Sequence, residues 1–259
     1  MGYMGKQQNR RRHSLTMTNT KLKMYGCITM LFYTIGVSVV QNGMIHIKEY
    51  DNVLFAKLLS ENPDMMVLSG WATLLQLIGG LAVPVFAFLL VEGFVHTSSF
   101  RRYFLTMLLF AIISEVPYDL AVSDTLWNPS KQNALFSMLL CLIMLYGLRY
   151  LKGKTGTGTK IAAAGLIVAA LIWSNLFKCD FGLSMILLCA VYYLLYDRNG
   201  VKVLMGCAIS TLYVTGPLST YAIWNYNGER GWNKNKYVFY AFYPLHLLVL
   251  GVIAHLMQM

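Results

Sequence analysis

The chain has 259 residues, of which 57% are hydrophobic and only 12% are charged. Soluble domains are usually about a quarter charged, so this composition excludes an ordinary soluble enzyme. The formal net charge of +10 first suggests a nucleic-acid partner. Its Lys and Arg residues, however, fall in short segments between long apolar runs, which is how membrane topology is encoded, and nucleic acid is therefore excluded as the partner.

The apolar runs predict an all-α fold, a polytopic membrane helix bundle of about eight transmembrane helices. Several of the runs are shorter than the roughly 20 residues that cross a bilayer core. The predicted spans are residues 22–40, 65–91, 103–120, 134–148, 161–173, 182–196, 201–224 and 237–257. We therefore expect a basic cytoplasmic tail over residues 1–21 and a single transmembrane domain over residues 22–259.

Charges between the runs predict the orientation. The tail through Lys23 holds six Lys or Arg residues and no acid, whereas residues 41–64 hold two lysines against four acids. This alternation predicts a cytoplasmic N-terminus. The loop over residues 226–236 does not fit, because it is basic and eight spans would put it outside. A broken or re-entrant segment at Gly216-Pro217 would return this loop to the inside, and the pattern leaves its side open.

The stretch AIISEVPYDLAV (residues 111–122) places two carboxylates in an apolar run. Glu115 and Asp119 are four residues apart and so share one helical face. Pro117, between them, frees the carbonyl of Ile113. Because a carboxylate in mid-membrane costs about 2.5–3.5 kcal/mol, such groups usually face a polar interior. We expect both acids to line a cavity in the bundle; alternatively, Asp119 lies at a helix end in water and Glu115 pairs with a hydroxyl.

Other polar side chains stand at the ends of the predicted spans. Glu92 and His96 repeat the four-residue spacing, and a carboxylate there can orient an imidazole as a base. They can equally be ordinary polar residues at a helix exit. His246 lies two positions after Pro244 and is either a hydrogen-bonded structural residue or a catalytic one.

Gln132 and Asn133 open the fourth span, on the side expected for Asp119. They either cap that helix or bind a substrate, and the sequence alone favours the cap. Five cysteines include no CxxC pair, and neither a disulfide framework nor a metal site is predicted.

Residues 84–140, YNGERG (residues 226–231) and FYAFYPLHLLVL (residues 239–250) resemble the TraX family of membrane proteins, named for the acetylase of conjugative F-pilin. The resemblance implies an integral protein of the bacterial cytoplasmic membrane, embedded in membrane lipids. It also implies transfer of an acyl group from acetyl-CoA or another acyl-CoA to an amine or hydroxyl. The acceptor, a peptide or a surface polymer, is not identified by it.

The resemblance and the charge pattern together nominate site residues. The catalytic candidates are His246, Glu115 and Glu92. Substrate binding is expected at Asp119, Gln132, Asn133, Asn227, Arg230 and Tyr243. The phosphates of CoA are expected to be attracted by Arg101, Arg102 and Lys152.

The first span departs from the family pattern. Family members typically carry an Asp-His pair there, whereas this chain reads MLFYTIG and places Tyr33 and Thr34 at those positions. Losing a positioned base typically costs 10²–10⁴-fold in rate. Either another residue, such as His246, supplies the base, or the chain is an inactive relative that acts in membrane binding or scaffolding. A transporter is the third alternative, since acids inside a membrane also relay protons.

Overall fold

The computed structural model describes residues 16–232 and 237–259, which form helices and no β-strand. Residues 1–15 of the predicted tail lie outside the described residues. The helices are α1 (Asn19–Thr34, continued by a π-helix over Ile35–Met44), α2 (Asn52–Glu61), α3 (Pro63–Gly79), α4 (Ala82–His96), α5 (Phe100–Ser123), α6 (Ala134–Leu151), α7 (Thr157–Leu176), α8 (Gly182–Leu194), α9 (Asn199–Ser210), α10 (Gly216–Trp224) and α11 (Tyr237–Met257).

Six of these helical segments are long and apolar enough to cross a membrane. They are Asn19–Met44, Pro63–His96, Phe100–Ser123, Ala134–Leu151, Thr157–Leu176 and Tyr237–Met257. The prediction of an all-α polytopic membrane bundle is confirmed. The count of eight crossings changes, because α8, α9 and α10 have 13, 12 and 9 residues. At 1.5 Å per residue none of them reaches across the ~30 Å core on its own.

Residues 201–224 form a hairpin of α9 and α10 instead of one crossing. The turn between the two helices contacts the end of α3, where the Thr215 hydroxyl donates to the carbonyl of Leu77. Gly216 and Pro217 begin α10, and a proline is tolerated at that position because the first helical N–H groups need no helical partner. The break that the sequence suggested at Gly216-Pro217 is therefore present, and the chain turns back there.

The hairpin returns the loop over residues 225–232 to the end of the bundle where α1 begins, here called the N-terminal end. Backbone N–H groups of Asn19 and Thr20 donate to the carbonyls of Glu229 and Arg230 at 2.8 and 3.2 Å. Gly231 has a φ of +82°, and a Cβ on it would lie 2.7 Å from the Thr18 hydroxyl. This close approach requires glycine.

The opposite end of the bundle, here called the far end, is where α5 and α11 finish. His255 Nδ1 lies 3.0 Å from Asp124 Oδ1 and joins the two helix ends. Between the two ends, α4 is the most buried helix; its Phe88 packs edge-on against the buried Tyr192 of α8. The apolar core therefore surrounds α4.

Four helix interruptions meet at one depth. Tyr33 lies in the last turn of α1, just before the π-helix, and its Cβ fills the space beside Gly79 at the end of α3. The Tyr33 ring packs on Phe181 from the loop between α7 and α8, with centroids 5.5 Å apart, and Phe181 packs in turn on Tyr213 from the hairpin turn. Irregular backbone at membrane depth occurs where protein or a cavity shelters it, so this level is the natural place for a site.

Candidate functional site

A cavity of about 600 Å³ runs from the N-terminal end down to the level of the helix interruptions. Its inner wall is built by Tyr33, Phe181 and Tyr243, beside Gly79 and Ala134. The middle of the cavity is lined by apolar and aromatic side chains of α1, α4, α5 and α6. The cavity thus joins charged residues at the N-terminal end to an apolar and aromatic interior.

The mouth of the cavity is cationic. Lys23, Arg102 and Arg230 line it, together with the hydroxyls of Ser98 and Ser99. In the described part of the chain none of these three cations forms an ion pair, and Lys23 and Arg230 lie close enough to repel each other. Unpaired cations that face one opening attract a polyanionic ligand.

Glu92 lies buried at the same mouth, within a group that the sequence did not reveal. The hydroxyls of Tyr196 and Tyr226 lie close enough to its carboxylate to interact with its charge. Burial, followed by the charge of Glu92, raises the pKa of Tyr226 to about 12. The buried Lys202 ammonium lies near this carboxylate and 5.2 Å from the centre of the Phe88 ring. The sequence feature that could have indicated this group is Lys202, a lysine inside an apolar run.

His246 lies behind the inner wall. Its Nδ1 is 2.8 Å from the carbonyl oxygen of Phe242, which can only accept, so Nδ1 carries the proton. In the neutral ring, Nε2 then has a free lone pair, and it lies 3.2 Å from the hydroxyl of Thr34. The ring of Tyr243, which lines the cavity, packs edge-on against the imidazole at 5.7 Å. A side chain that lines the cavity therefore packs directly on His246.

Glu115 and Asn133 are bonded to each other. The Asn133 amide donates to Glu115 Oε2 and also, at 2.9 Å, to the carbonyl of Ala111. Its Oδ1 accepts from the backbone N–H of Leu135 and so caps α6. The cap favoured by the sequence is present, and the same side chain also holds the carboxylate. Glu115 Oε1 is buried and has no partner in the described residues.

Asp119 and Gln132 lie on the far-end side of this pair. Asp119 is 1% exposed, and its Oδ2 accepts from the backbone N–H of Asn128 at 2.8 Å. The alternative that Asp119 simply lies in water at a helix end is therefore wrong. Gln132 bonds through its backbone to Lys178 and Asp180. Glu115, Asp119 and Gln132 do not line the cavity described above, so it is not lined by the two acids expected to line a cavity in the bundle.

Asp180 is the acid that sequence reasoning missed. The Tyr118 hydroxyl donates to Asp180 Oδ2 at 3.1 Å, and the hydroxyls of Tyr33, Tyr213 and Tyr243 lie close enough to interact with its charge. Because Asp180 follows an apolar run, it resembles an ordinary loop acid in the sequence. In the structure its loop folds inward against the cavity wall.

Burial raises the pKa of Asp180, and the bond from Tyr118 only partly opposes this effect. The charged carboxylate is thus the costly form in the folded protein, so its contribution to stability falls as the pH rises through the folded-state pKa. We expect Asp180→Asn, which keeps an acceptor for Tyr118, to raise the melting temperature in detergent more at pH 8 than at pH 4.5. An equal shift at both values would contradict this.

The remaining nominated residues are scattered. Arg101 lies in a shallow outer groove beside Arg102, and Lys152 is exposed after α6. Asn227 closes a turn by accepting from the backbone N–H of Glu229 at 2.9 Å. Glu92 lies ten residues after Ala82, about 15 Å of helix rise from the inner end of the cavity, so it does not join Glu115 or His246.

Glu115 and His246 share Tyr243 as a neighbour, because this tyrosine packs on the imidazole and lies within electrostatic reach of the carboxylate. In residues 16–232 and 237–259, no three His, Cys, Asp or Glu side chains are grouped to hold a metal ion. The inner end of the cavity therefore offers tyrosine hydroxyls, with acids and one histidine directly behind them.

These features define a polytopic helical membrane protein with an elongated internal cavity, a cationic mouth and a histidine behind its inner wall. The chain belongs to the TraX protein family, whose sequence pattern matches residues 22–254. A probable fimbrial assembly protein of Dichelobacter nodosus (FimC, serogroup H1) is 26% identical over 206 residues, which cover 68% of this chain and 81% of that protein. No solved structure matches the chain.

Proposed function

We propose that this protein is a membrane acyltransferase that moves an acyl group from acyl-CoA, with acetyl-CoA as the first candidate, to an amine or hydroxyl. The observation that supports this most strongly is the cavity itself. It joins a cluster of cations at the N-terminal end to a polar inner wall with a neutral histidine behind it.

The donor fits the cavity by its chemistry. CoA carries several phosphates at one end and a thioester at the end of a long flexible arm. The phosphates would pair with Lys23, Arg102 and Arg230, and the arm would lie along the apolar middle. The thioester would then reach Tyr33 and Tyr243. Because CoA is cytoplasmic, we also propose that the N-terminal end faces the cytoplasm of a bacterial cell.

His246 is the proposed base. Its Nε2 lone pair is available because the carbonyl of Phe242 holds the Nδ1 proton. Acyl transfer needs a group that accepts the proton of the attacking amine or hydroxyl, and neutral imidazole does this near pH 7. Glu115 and Asp180 are better placed to orient the surrounding tyrosines than to meet the donor.

The acceptor is proposed to be a peptide. The support is the name of the Dichelobacter nodosus relative, a probable fimbrial assembly protein, which makes a fimbrial subunit a suitable first acceptor to test.

The test of the proposal uses the purified full chain in detergent with radiolabelled acetyl-CoA and a panel of amine-bearing and hydroxyl-bearing peptides, including fimbrial subunit sequences. We expect label to move to at least one peptide and CoA to bind by calorimetry. Absence of both transfer and CoA binding would refute the acyltransferase.

Arg101 and Arg102 give a matched pair for donor binding, because the two residues are adjacent and only Arg102 lines the cavity. We expect Arg102→Gln to weaken CoA binding about tenfold, the effect of about 1.4 kcal/mol of lost attraction, and Arg101→Gln to leave it unchanged. Calorimetric titration with CoA at low salt measures both. Equal losses in the two variants would show that only general surface charge matters.

A non-catalytic relative is the second candidate function. One observation favours it: among the described residues, His246 is oriented by a backbone carbonyl and a threonine, and no carboxylate is bonded to it. Such a protein would keep the cavity for binding or scaffolding. It would bind CoA or a similar ligand without turnover, which the same assay separates from the acyltransferase.

A further inference from the structure

We propose that Thr34 is a nucleophile and that acyl transfer passes through an acyl-threonine intermediate formed with His246 as its base. This inference rests on the acyltransferase proposed above. It assigns a chemical role to the residue that stands at the second position of the replaced family pair.

The geometry is that of an activated hydroxyl. A nucleophilic Ser or Thr needs a base within hydrogen-bond reach, and the base needs a third group that fixes its tautomer. The Thr34 hydroxyl lies 3.2 Å from His246 Nε2, and the carbonyl of Phe242 lies 2.8 Å from Nδ1. All three groups are on α1 and α11, which contact each other directly.

One competing bond exists for the Thr34 proton. The hydroxyl also lies 3.2 Å from the carbonyl of Met30, one helical turn earlier, which is a common bond for a helical threonine. The carbonyl of Met30 can only accept a hydrogen bond. Nε2 of His246 can also only accept one, in the tautomer fixed by Phe242. Nε2 is the more basic of these two acceptors, and the Thr34 hydroxyl is the donor that lies within reach of it.

The chemistry balances in two steps. In the first, the Thr34 oxygen attacks the thioester carbonyl carbon while its proton passes to His246 Nε2; the C–S bond then breaks, and the departing thiolate takes that proton to leave as free CoA. In the second, the acceptor amine or hydroxyl attacks the threonine ester and gives its proton to Nε2. The C–O bond to Thr34 breaks, and the threonine oxygen recovers a proton from the imidazolium.

Access to Thr34 is through the inner wall. Thr34 is 4% exposed, while its neighbour Tyr33 and the aromatic partner of His246, Tyr243, both line the cavity. The thioester must therefore pass between the rings of Tyr33 and Tyr243. Gly36, two residues beyond Thr34, lets α3 approach closely, because a Cβ there would lie 2.9 Å from the carbonyl oxygen of Ala72.

The experiment has two readouts on the purified full chain. The first mixes it with radiolabelled acetyl-CoA without acceptor, quenches with acid and maps the label by peptide mass spectrometry. We expect an ester on Thr34 that hydroxylamine removes, and a burst of CoA release equal to the enzyme concentration. The second compares transfer by Thr34→Val, Thr34→Ser and Thr29→Val.

Thr29 is the matched control, because it is a buried threonine of the same helix that bonds only to the carbonyls of Tyr25 and Gly26. We expect Thr34→Val to lose the label and at least 10²-fold in transfer while it still binds CoA. Thr34→Ser should keep the ester, and Thr29→Val should transfer normally.

The outcomes separate this inference from the proposed function. Two results would overturn the assignment of Thr34 as nucleophile and leave the proposed acyltransferase intact. One is transfer by the unmodified chain with no label on Thr34. The other is a transfer rate of Thr34→Val within threefold of the unmodified chain. CoA binding with neither label nor transfer overturns the nucleophile and supports the non-catalytic relative. Absence of both CoA binding and transfer in the unmodified chain refutes the proposed acyltransferase function itself. Label mapping on the unmodified chain decides the case even if Thr34→Val does not fold.

Discussion

Replacing His246 by glutamine is expected to lower acyl transfer by 10²–10⁴-fold, the usual cost of losing a positioned base. The imidazole is buried, and its Nε2 lone pair meets the Thr34 hydroxyl. Glutamine fills similar space and can bond to Thr34, but its amide cannot take up a proton near pH 7. The initial rate of transfer from labelled acetyl-CoA measures the effect, with CoA binding measured in parallel to show that the cavity persists.

His255 supplies the control for this change. It lies on the same helix, at the far end, where it pairs with Asp124 and touches no part of the cavity. His255→Gln should keep its transfer rate within a few-fold of the unmodified chain. If His246→Gln transfers as well as His255→Gln, the base is another residue and the assignment of His246 fails.

The membrane fold was predictable from the sequence because length and apolarity suffice to define a crossing. The hairpin of α9 and α10 was not predicted as such, since two short apolar helices that run in opposite directions give the same hydropathy as one long one. Its only local signal was the Gly216-Pro217 pair, which marks a break but not its direction. The docking of residues 17–20 on residues 225–230 settles the direction, and that contact joins segments more than 200 residues apart.

The candidate site was predictable only in part. Helical spacing placed Glu115 on an inward face, and its partner Asn133 was predictable as a cap. The sequence pattern could not show that Arg102 lines the cavity and Arg101 does not, because adjacent residues of a helix point in different directions and the rotation of the helix is not known from the sequence. Asp180 was missed because its importance comes from tyrosines on four other segments, and no local pattern connects these residues.

The contact between Tyr33 and Gly79 joins the first helix to the cavity, and Gly79→Ala is expected to damage both stability and function. A Cβ at residue 79 would lie 2.3 Å from Tyr33 Cβ and 2.9 Å from Tyr33 Cα, so a side-chain rotation cannot relieve the overlap. Overpacking of this kind costs about 1–3 kcal/mol, and the better helix propensity of alanine offsets at most about 1 kcal/mol. The melting temperature in detergent should therefore fall.

Transfer should fall as well, because moving Tyr33 also moves Thr34, and a misplacement of about 1 Å at a reacting group costs about 10²-fold. Gly70 lies on the same helix and a Cβ there meets nothing within 4 Å, so Gly70→Ala is the matched control and should be neutral or slightly stabilising. Equal melting temperatures for the two variants would mean that α1 and α3 can separate without loss. The inner wall would then be too loose to hold Thr34 against His246, and the chemistry proposed for this pair would lose its structural basis.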